Sequence, residues 1–445
     1  LELEDEASLA LLKRDDFAMD DRSQNGMLYH QRRMLEDGQL LFVVNSHKTE
    51  RAWARVATRG NHVTKLDLIS GKEYAYAAQV EKGTLSFQLE LDPAGSALFL
   101  ITEQEPGRPL PDYGTVVAEK LVESRGQLSV ARESNNILMI NYLDLQSAKS
   151  SRKDIYFMDA LIGLFQENGI EMGNPWQHKI QYRQDYLALD SLFDSGSGFT
   201  ASYHFQIDKS LGESEMKSIR AVVERPDLWQ VAINGMEVSK LEDAYWIDRD
   251  FPLFDLGGFL RHGKNTLTLT APRMHILAEV MPVYILGDFL VQPGVKGFEI
   301  AGGEINALGS WRRAGLPFYA QKVSYSQKFN VQKSEDSFHM VRLKDWKGTI
   351  AEVWVNEEPA GVIAWQPFEL DISSFLMDGA NDITIKVTGS LKNTFGFFYR
   401  DNNNWIFGPH SWNEAPEQIP PASAYYLMDY GLFEPFELVE YNYEL

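Results

Sequence analysis

The stretch IAEVWVNEEPAGVIAWQPFELDISSFLMDGANDITIKVTGSLKNTFG, residues 350–396, decides how the chain is interpreted. Residues 352–356 alternate apolar and polar side chains, which is typical of a half-buried strand. Asn356 begins a turn, and residues 361–365 form the returning strand of a hairpin. A short helical turn and a tight turn then lead to a second alternating strand at 383–387. The stretch therefore predicts a hairpin, a cap turn and one further strand of a β-sandwich.

The same pattern occurs once before, in residues 228–270. A strand that ends at Asn234 corresponds to the strand that ends at Asn356. The matched aspartate–asparagine pairs, ten residues apart in both copies, are Asp255 with Asn265 and Asp371 with Asn381. Spacing that is kept across several turn positions indicates one supersecondary unit used twice.

The repeated unit resembles the galactose-binding-like jelly roll of the glycoside hydrolase family 2 type. Two further motifs, GSWRRAGLPFY at 309–319 and LKNTFG at 391–396, narrow the match, as do GPH at 408–410 and YGL at 430–432. Together they resemble the C-terminal half of large α-L-rhamnosidase-like enzymes of the family 106 type, from about residue 25 onward. The expected fold class is all-β, with tandem β-sandwich or jelly-roll domains after a smaller antiparallel β domain.

The order of motifs predicts four parts: a lead-in or linker at 1–24, an antiparallel β domain at 25–125, a first jelly roll with a helical insertion at 126–297, and a second jelly roll at 298–445. Asp154 is predicted to cap the inserted helix, and Gly169 to end it. The chain opens with LELEDE and without a methionine, so we expect it to be a fragment or a processed product of a longer protein.

Composition excludes several classes of function. At 445 residues with 44% hydrophobic content, the chain can build two or three cores. A net charge of −21 argues against nucleic acid or an anionic membrane as a partner. There is no cysteine, which excludes a disulfide framework and a thiolate metal site. No apolar stretch approaches the roughly 20 residues of a membrane helix, and the acidic start differs from a signal peptide, so we expect a soluble protein.

Catalysis by a glycosidase requires two carboxylates, about 5 Å apart for retention of configuration or about 6.5–9.5 Å for inversion. Sequence spacing cannot show such a distance. In the resembled enzymes the catalytic acids lie on an upstream (β/α)₈ barrel, and this chain has no βα alternation that could form one. We therefore expect the catalytic domain to be absent from this chain, while an acid pair on the sandwich loops remains an alternative.

Sugar binding is the better-supported activity, because pyranose faces stack on aromatic rings while amides and carboxylates bind hydroxyls. The predicted carbohydrate-binding residues are Trp246, Trp311, Asp401, Asn403, Trp405, His410 and Trp412. Trp229 and Trp354 are expected in cores, and Trp365 is expected to close the end of one. No cofactor is expected, although Asp248, Asp250 or Asp401 with neighbouring carbonyls could bind calcium.

Two functions follow from these expectations. The first is the non-catalytic, carbohydrate-associated β-sandwich region of a larger bacterial glycoside hydrolase, which supports the upstream catalytic domain and binds a plant or microbial glycan. The second is a free-standing carbohydrate-binding or interaction protein. The resemblance implies a periplasmic or extracellular location for either.

Overall fold

The computed structural model describes residues 16–21, 27–68, 71–111, 115–177, 182–305, 308–334, 337–399 and 409–444. The strands of an N-terminal sandwich are β1 (Phe17–Asp21), β2 (Leu28–Met34), β3 (Gly38–Asn45), β4 (Ala52–Thr58), β5 (His62–Leu66), β6 (Glu73–Ala75), β7 (Gln79–Glu81), β8 (Thr84–Leu91) and β9 (Ser96–Thr102). They form two antiparallel sheets, β1-β4-β8-β7 and β2-β3-β9-β5-β6. Alternating side chains such as Leu41, Val56, Phe87 and Phe99 fill the core between the sheets.

The predicted linker at 1–24 is wrong at its C-terminal end, because β1 is a strand of the first sandwich. It pairs antiparallel with β4 along its whole length. Phe17 and Met19 pack against the core, and this spacing of two is the strand period. The surrounding aspartates gave the segment the composition of a solvated linker and hid that period.

The middle sandwich follows two strands, β10 (Thr115–Val122) and β11 (Ser124–Arg132), which belong to a different sheet pair described below. Its strands are β12 (Asn136–Ile140), β13 (Tyr142–Ser147), β14 (Ser151–Tyr156), β15 (Phe199–Ile207), β16 (Arg220–Val222), β17 (Gln230–Ile233), β18 (Met236–Glu237), β19 (Lys240–Tyr245), β20 (Pro252–Asp255), β21 (Gly263–Ala271), β22 (Val283–Gly287), β23 (Leu290–Pro293) and β24 (Phe298–Ala301). One sheet has the order β12-β22-β16-β20-β19. The other has the order β14-β13-β15-β21-β17-β18, with β24 beside β15 and β23 beside β24.

Helices of the middle sandwich are α1 (Phe157–Glu167), α2 (Arg183–Ala188) and α3 (Glu213–Lys217), with 3₁₀ turns at Pro175–Gln177, Leu189–Leu192 and Pro226–Leu228. The predicted cap of the inserted helix is wrong, because Asp154 lies within β14 with φ of 52° and its N–H bonds to Asp144 Oδ1 at 2.9 Å. The helix starts only at Phe157. Gly169, with φ of 91°, ends it as predicted.

The C-terminal sandwich contains β25 (Lys322–Val331), β26 (Ser337–Arg342), β27 (Trp346–Lys347), β28 (Ile350–Val355), β29 (Glu358–Ile363), β30 (Glu369–Asp371), β31 (Gly379–Thr388), β32 (Gly431–Leu432) and β33 (Glu437–Glu444), with α4 (Lys392–Phe395) and 3₁₀ turns at Pro409–Asn413 and Ala422–Ala424. Its sheets are β11-β25-β31-β28-β29 and β10-β33-β26-β30, and β27 pairs with β32. The predicted boundary between residues 125 and 126 is therefore wrong. The chain adds β10 and β11 to this sandwich before it builds the middle one, a long-range pairing that leaves no local signal.

The predicted repeat is present, and its two copies make the same hydrogen bonds. At the β17–β18 turn Asn234 has φ of 51°, and its Nδ2 donates to Asn265 Oδ1 at 2.9 Å. At the β28–β29 turn Asn356 also has φ of 51°, and its Nδ2 donates to Asn381 Oδ1 at 2.9 Å. Asparagine tolerates this left-handed conformation better than most residues, which explains its place at both turns.

The second asparagine of each copy closes the loop before the next strand. Asn265 Nδ2 donates to the carbonyls of Arg261 and Gly263 at 2.7 and 3.1 Å. Asn381 Nδ2 makes the matching bonds, at 2.8 and 3.1 Å, to the carbonyls four and two residues before it. Their exposed fractions are 0% and 2%, so each amide serves as an internal connector.

Three tryptophans on or near strands were expected to be internal, and the structure supports only one of them. Trp229 is buried in the middle sandwich. Trp354 instead lies on the outer face of β28, with the Lys386 ammonium 4.4 Å from its ring centroid. Trp365 is 49% exposed and does not close the core. The alternation of β28 puts Ala351, Val353 and Val355 inside, which leaves Trp354 on the opposite face.

A segment that follows β31 in sequence returns to the middle sandwich. Phe398, Tyr425 and Leu427 are buried in the same core as the strands of that sandwich, and Phe318 joins them. The C-terminal part of the chain is therefore packed against the middle sandwich through its own aromatic side chains. The candidate functional site lies along this seam.

Candidate functional site

The predicted sugar-binding residues divide into three groups. Asp401, Asn403 and Trp405 lie outside the described residues, as does the side chain of His410. Trp311 lies in the core of the C-terminal sandwich. Trp246 and Trp412 come together at the seam, although 165 positions separate them in the sequence.

Trp311 was predicted to be a loop platform for sugar, and this prediction is wrong. Its side chain is 2% exposed. The indole N–H donates to the Tyr325 hydroxyl at 2.8 Å, and the ring meets Tyr319 edge-on at 5.9 Å between centroids. The backbone N–H of Trp311 also bonds to the Tyr430 carbonyl at 2.9 Å. A glycan cannot reach this ring, so the residue holds the core together.

Trp246 and Trp412 both contact Phe395, the last residue of α4. The Trp246 and Phe395 ring centroids lie 5.6 Å apart. The Trp412 indole N–H donates to the Phe395 carbonyl at 3.1 Å. Both tryptophans are half-buried, so part of each indole stays open to solvent. We use the term seam site for Trp246, Trp412 and Phe395 together with Glu224 and Glu279, described below.

A tight turn after β19 positions Trp246. The Trp246 N–H bonds to the Phe251 carbonyl at 2.9 Å, and the Phe251 N–H bonds to the Asp248 carbonyl at 3.0 Å. The Trp246 ring also packs on Tyr284 of β22, at 5.1 Å between centroids. The backbone turn and the neighbouring rings therefore hold the indole, which limits its rotation.

Two half-buried glutamates lie near this aromatic group. Burial raises the pKa of Glu224, and the charges of Glu279 and Asp250 raise it further, against the opposing effect of Arg225. Burial also raises the pKa of Glu279, although the Asn174 amide donates to its Oε1 at 2.9 Å. The Arg225 Nε lies 3.9 Å from Glu224 Oε1 and has no hydrogen-bond partner among the described residues, so this cation compensates the pair only weakly.

Burial raises the pKa of the Tyr284 hydroxyl, and Glu224 lies close enough to the aromatic side chains for its charge to raise it further. Tyr284 in turn contacts Trp246 and Phe395. The seam site thus combines indole surface and two carboxylates. Aromatic faces pack against the C–H faces of sugars, and carboxylates accept hydrogen bonds from hydroxyl groups.

The calcium site left open at Asp248, Asp250 or Asp401 receives no support from the geometry of the first two. Asp248 Oδ1 accepts the Asp250 backbone N–H at 2.9 Å and so stabilises the turn. Across the described ranges, no group of three or more histidine or acidic side chains is placed to hold a metal ion. Asp401 lies outside those ranges.

Buried tyrosines fasten the chain segments on either side of residues 400–408. The Asn141 amide donates to the Tyr399 hydroxyl at 3.0 Å and accepts from the Tyr425 hydroxyl at 3.4 Å. The Tyr142 hydroxyl donates to the Pro416 carbonyl at 2.8 Å. Asn141 is 2% exposed, so these bonds lie in a region of low dielectric constant where they are strong. They fix Phe395 and Trp412 against the middle sandwich.

Replacing Glu279 by glutamine is expected to stabilise the protein at about pH 8 and to change its stability less at about pH 5. A carboxylate whose pKa is raised by folding destabilises the folded state when it is ionised. Wild type therefore gains stability as the pH falls through the raised pKa of Glu279 towards that of the unfolded chain, and the variant lacks this gain. Thermal denaturation across this pH range is the measurement.

Glu237, exposed on β18, provides the matched control, because its glutamine variant removes the same charge from the surface. The Glu279→Gln variant should be stabilised more than the Glu237→Gln variant at the higher pH. Equal behaviour of the two variants at both ends of the range would contradict the description of the carboxylate pair.

Sequence reasoning named Trp246 and Trp412 as candidates and did not name Glu224, Glu279 or Asn174. In a chain with 63 acidic residues, a useful carboxylate cannot be recognised by type alone. Asn174 and Glu279 are 105 positions apart, and no spacing rule connects them. The ERPD segment at 224–227 next to a predicted strand was visible, but its burial was not.

Comparison with known proteins returns matches among solved structures. No protein-family model matches the chain, and no curated protein matches it. Its structure is similar to a rhamnosidase from Novosphingobium sp. PP1Y, at 12% identity over 98% of this chain and 26% of that chain, with a TM-score of 0.46. A Streptomyces avermitilis α-L-rhamnosidase complexed with L-rhamnose matches at 11% identity over 95% and 41% of the two chains, with a TM-score of 0.26.

A β-D-mannosidase from Dictyoglomus thermophilum matches at 13% identity over 57% of this chain and 31% of that chain, with a TM-score of 0.22. Rhamnosidases and family 2 β-glycosidases are its structural neighbours. The chain spans 26% of the length of the Novosphingobium enzyme, so the activity of that whole protein is not transferred to it. Within the described ranges, every helix is too short or too polar to cross a membrane.

Proposed function

We propose that this chain is the non-catalytic, carbohydrate-associated region of a larger bacterial glycoside hydrolase of the α-L-rhamnosidase-like type. In this role it supports an upstream catalytic barrel and binds glycan at the seam site. The described strands form antiparallel sandwiches without the βα alternation that such a barrel requires. A plant or microbial glycan would be met in the periplasm or outside the cell, which is the location we propose.

One observation carries the binding part of this proposal: the half-buried Trp246 indole is held against Phe395 and against Tyr284, whose hydroxyl is close enough to Glu224 to be affected by its charge. Trp311, in contrast, is 2% exposed and offers no open ring face. An indole that is fixed at its edges and partly open matches the platform on which sugar rings stack. Glu224 and Glu279 supply carboxylate oxygens that can accept hydrogen bonds from hydroxyls.

Replacing Trp246 by alanine is expected to weaken glycan binding by about tenfold, because a stacking contact worth roughly 1.4 kcal/mol is lost. Isothermal titration calorimetry with rhamnose-containing oligosaccharides measures the change. Trp53, 49% exposed on β4 of the N-terminal sandwich, gives the matched control variant Trp53→Ala. Equal affinity of the Trp246→Ala variant and wild type, or equal losses in both variants, would contradict the seam site.

The Glu224–Glu279 pair favours a second candidate function, which is acid–base hydrolysis at the seam itself. Carboxylates with raised pKa values are the groups that donate protons to leaving oxygens in glycosidases. The same pair serves equally as a hydroxyl acceptor in a binding site. Turnover of a glycoside by the chain alone separates the two functions.

A further inference from the structure

A cleft of about 670 Å³ opens on the C-terminal part of the chain, apart from the seam site. Arg312, Lys347, Tyr426 and Asp429 are among the residues that line it. Residues of the seam site do not contribute to its wall. The cleft is therefore a second candidate site, separate from the seam site of the proposed function.

Arg312 is held in place at one end of its guanidinium. Its Nε pairs with Asp429 Oδ1 at 2.7 Å, and its Nη1 donates to the Leu427 carbonyl at 3.3 Å. The Ser310 hydroxyl donates to the same Asp429 oxygen at 2.5 Å and fixes the carboxylate. Among the described residues, Arg312 Nη2 has no hydrogen-bond partner, so its donors remain available for a ligand.

Lys347 brings a second positive charge to the cleft. Its side chain is exposed, and its ammonium lies 4.9 Å from the centroid of the Phe433 ring. In the part of the chain that the structure describes, no carboxylate lies within ion-pair distance of this ammonium. Asp429 is already bound to Arg312, so the cleft keeps an excess of positive charge within a chain whose net charge is −21.

Tyr426 gives the cleft an aromatic surface, and its backbone is held in place. The Lys392 ammonium donates to the Tyr426 carbonyl at 3.1 Å and to the Phe397 carbonyl at 2.9 Å, which anchors the backbone there. The Tyr426 side chain is half-buried, and among the described residues the hydrogen-bond partner of its hydroxyl is the Met428 sulfur alone, at 3.9 Å. A hydroxyl with so weak a partner is free to bond to a ligand.

We propose that this cleft binds an acidic sugar residue, a pyranose that carries a carboxylate or a sulfate group. The anionic group meets Arg312 Nη2 and the Lys347 ammonium, and the sugar ring packs against Tyr426. This assignment rests on the proposed function, because it presumes that the chain binds glycan. The negative charge of the whole protein repels an acidic glycan, so binding depends on these two local cations and weakens as salt screens them.

Calorimetric titration of the full chain with two matched pairs of probes tests the assignment. One pair is tetragalacturonate and its methyl ester, and the other is a sulfated carrageenan tetrasaccharide and its desulfated form. We expect the acidic member of at least one pair to bind about tenfold more tightly than its neutral form. The pair that shows the difference identifies the carboxylate or the sulfate as the group recognised.

The variant Lys347→Met keeps the aliphatic stem and removes the charge, and it should weaken binding of the acidic probe about fivefold without changing the neutral one. Lys209→Met, at an exposed lysine of the middle sandwich, is the matched control and should change neither. If the acidic and neutral probes bind equally, or if Lys347→Met leaves binding unchanged, the assignment of the cleft is overturned. The proposed function still stands in that case if glycan binding depends on Trp246. Absence of binding to every glycan overturns both this assignment and the proposed function.

Discussion

Replacing Trp311 by alanine is expected to lower the free energy of unfolding of the C-terminal sandwich by about 4 kcal/mol. The indole is 2% exposed and packs against Tyr319 and Tyr430. Its removal leaves a large cavity and takes the hydrogen bond away from the Tyr325 hydroxyl. That hydroxyl also accepts the Leu432 N–H at 3.2 Å, so the loss reaches strand β32.

Chemical denaturation followed by tyrosine and tryptophan fluorescence measures this change. Trp53→Ala is again the matched control, since Trp53 is 49% exposed and its loss should cost less than about 1 kcal/mol. If Trp311→Ala were as stable as Trp53→Ala, the ring would have to be at the surface, as the sequence first indicated, and the description of this core would fail.

Replacing Asn381 by alanine is expected to destabilise the C-terminal sandwich by about 3 kcal/mol. The change removes two donated bonds, to the Met377 and Gly379 carbonyls, and leaves both partly buried acceptors without this donor. It also removes the acceptor of the Met377 N–H and of the Asn356 amide. Several unpaired buried polar groups in one place cost more than the loss of a surface contact.

The repeat makes this prediction stronger, because Asn265→Ala should produce a loss of similar size in the middle sandwich. Asn330, exposed on β25, offers the control variant Asn330→Ala, which should change the unfolding free energy by less than about 0.5 kcal/mol. A double-mutant cycle between Asn356 and Asn381 should give a coupling energy of about 1 kcal/mol. Independent effects of the two substitutions would contradict the amide pair.

The repeat was predictable because it is local. The turns at Asn234 and Asn356, and the loops closed by Asn265 and Asn381, are specified by residues close together in sequence. The strand periods of β28 and β31 are equally local, and both were predicted. The end of helix α1 at Gly169 was also predictable, because glycine readily adopts the left-handed conformation that follows the end of a helix.

Pairings between distant strands were not predictable. The partner of β1 lies beyond two intervening strands, and β10 and β11 pair with strands hundreds of residues later. No local pattern encodes those choices, because a strand pairs according to which edges the folded sheets leave open. The four predicted parts therefore misplaced the residues of β1, β10 and β11. The boundary between residues 297 and 298 also put β24 in the second jelly roll, although β24 pairs with β15 and β23 of the middle sandwich.

Only part of the candidate site was predictable from the sequence. Trp246 stood out because tryptophan beside a polar turn is uncommon, and its role as a platform remains a proposal. Trp311 looked similar in sequence but is internal, since an apolar ring in a Gly-rich loop fits a core as well as a surface. Glu224 and Glu279 could be recognised only once burial was known, because burial is what raises the pKa of each.

Hydrolysis of aryl α-L-rhamnosides, and of a small panel of other aryl glycosides, by the 445-residue chain alone shows whether this region is non-catalytic. We expect no turnover above the rate in buffer, while the chain still binds oligosaccharide through Trp246. Turnover that scales with protein concentration, and that disappears in Glu224→Gln or Glu279→Gln, would contradict this expectation and place an active site in the seam.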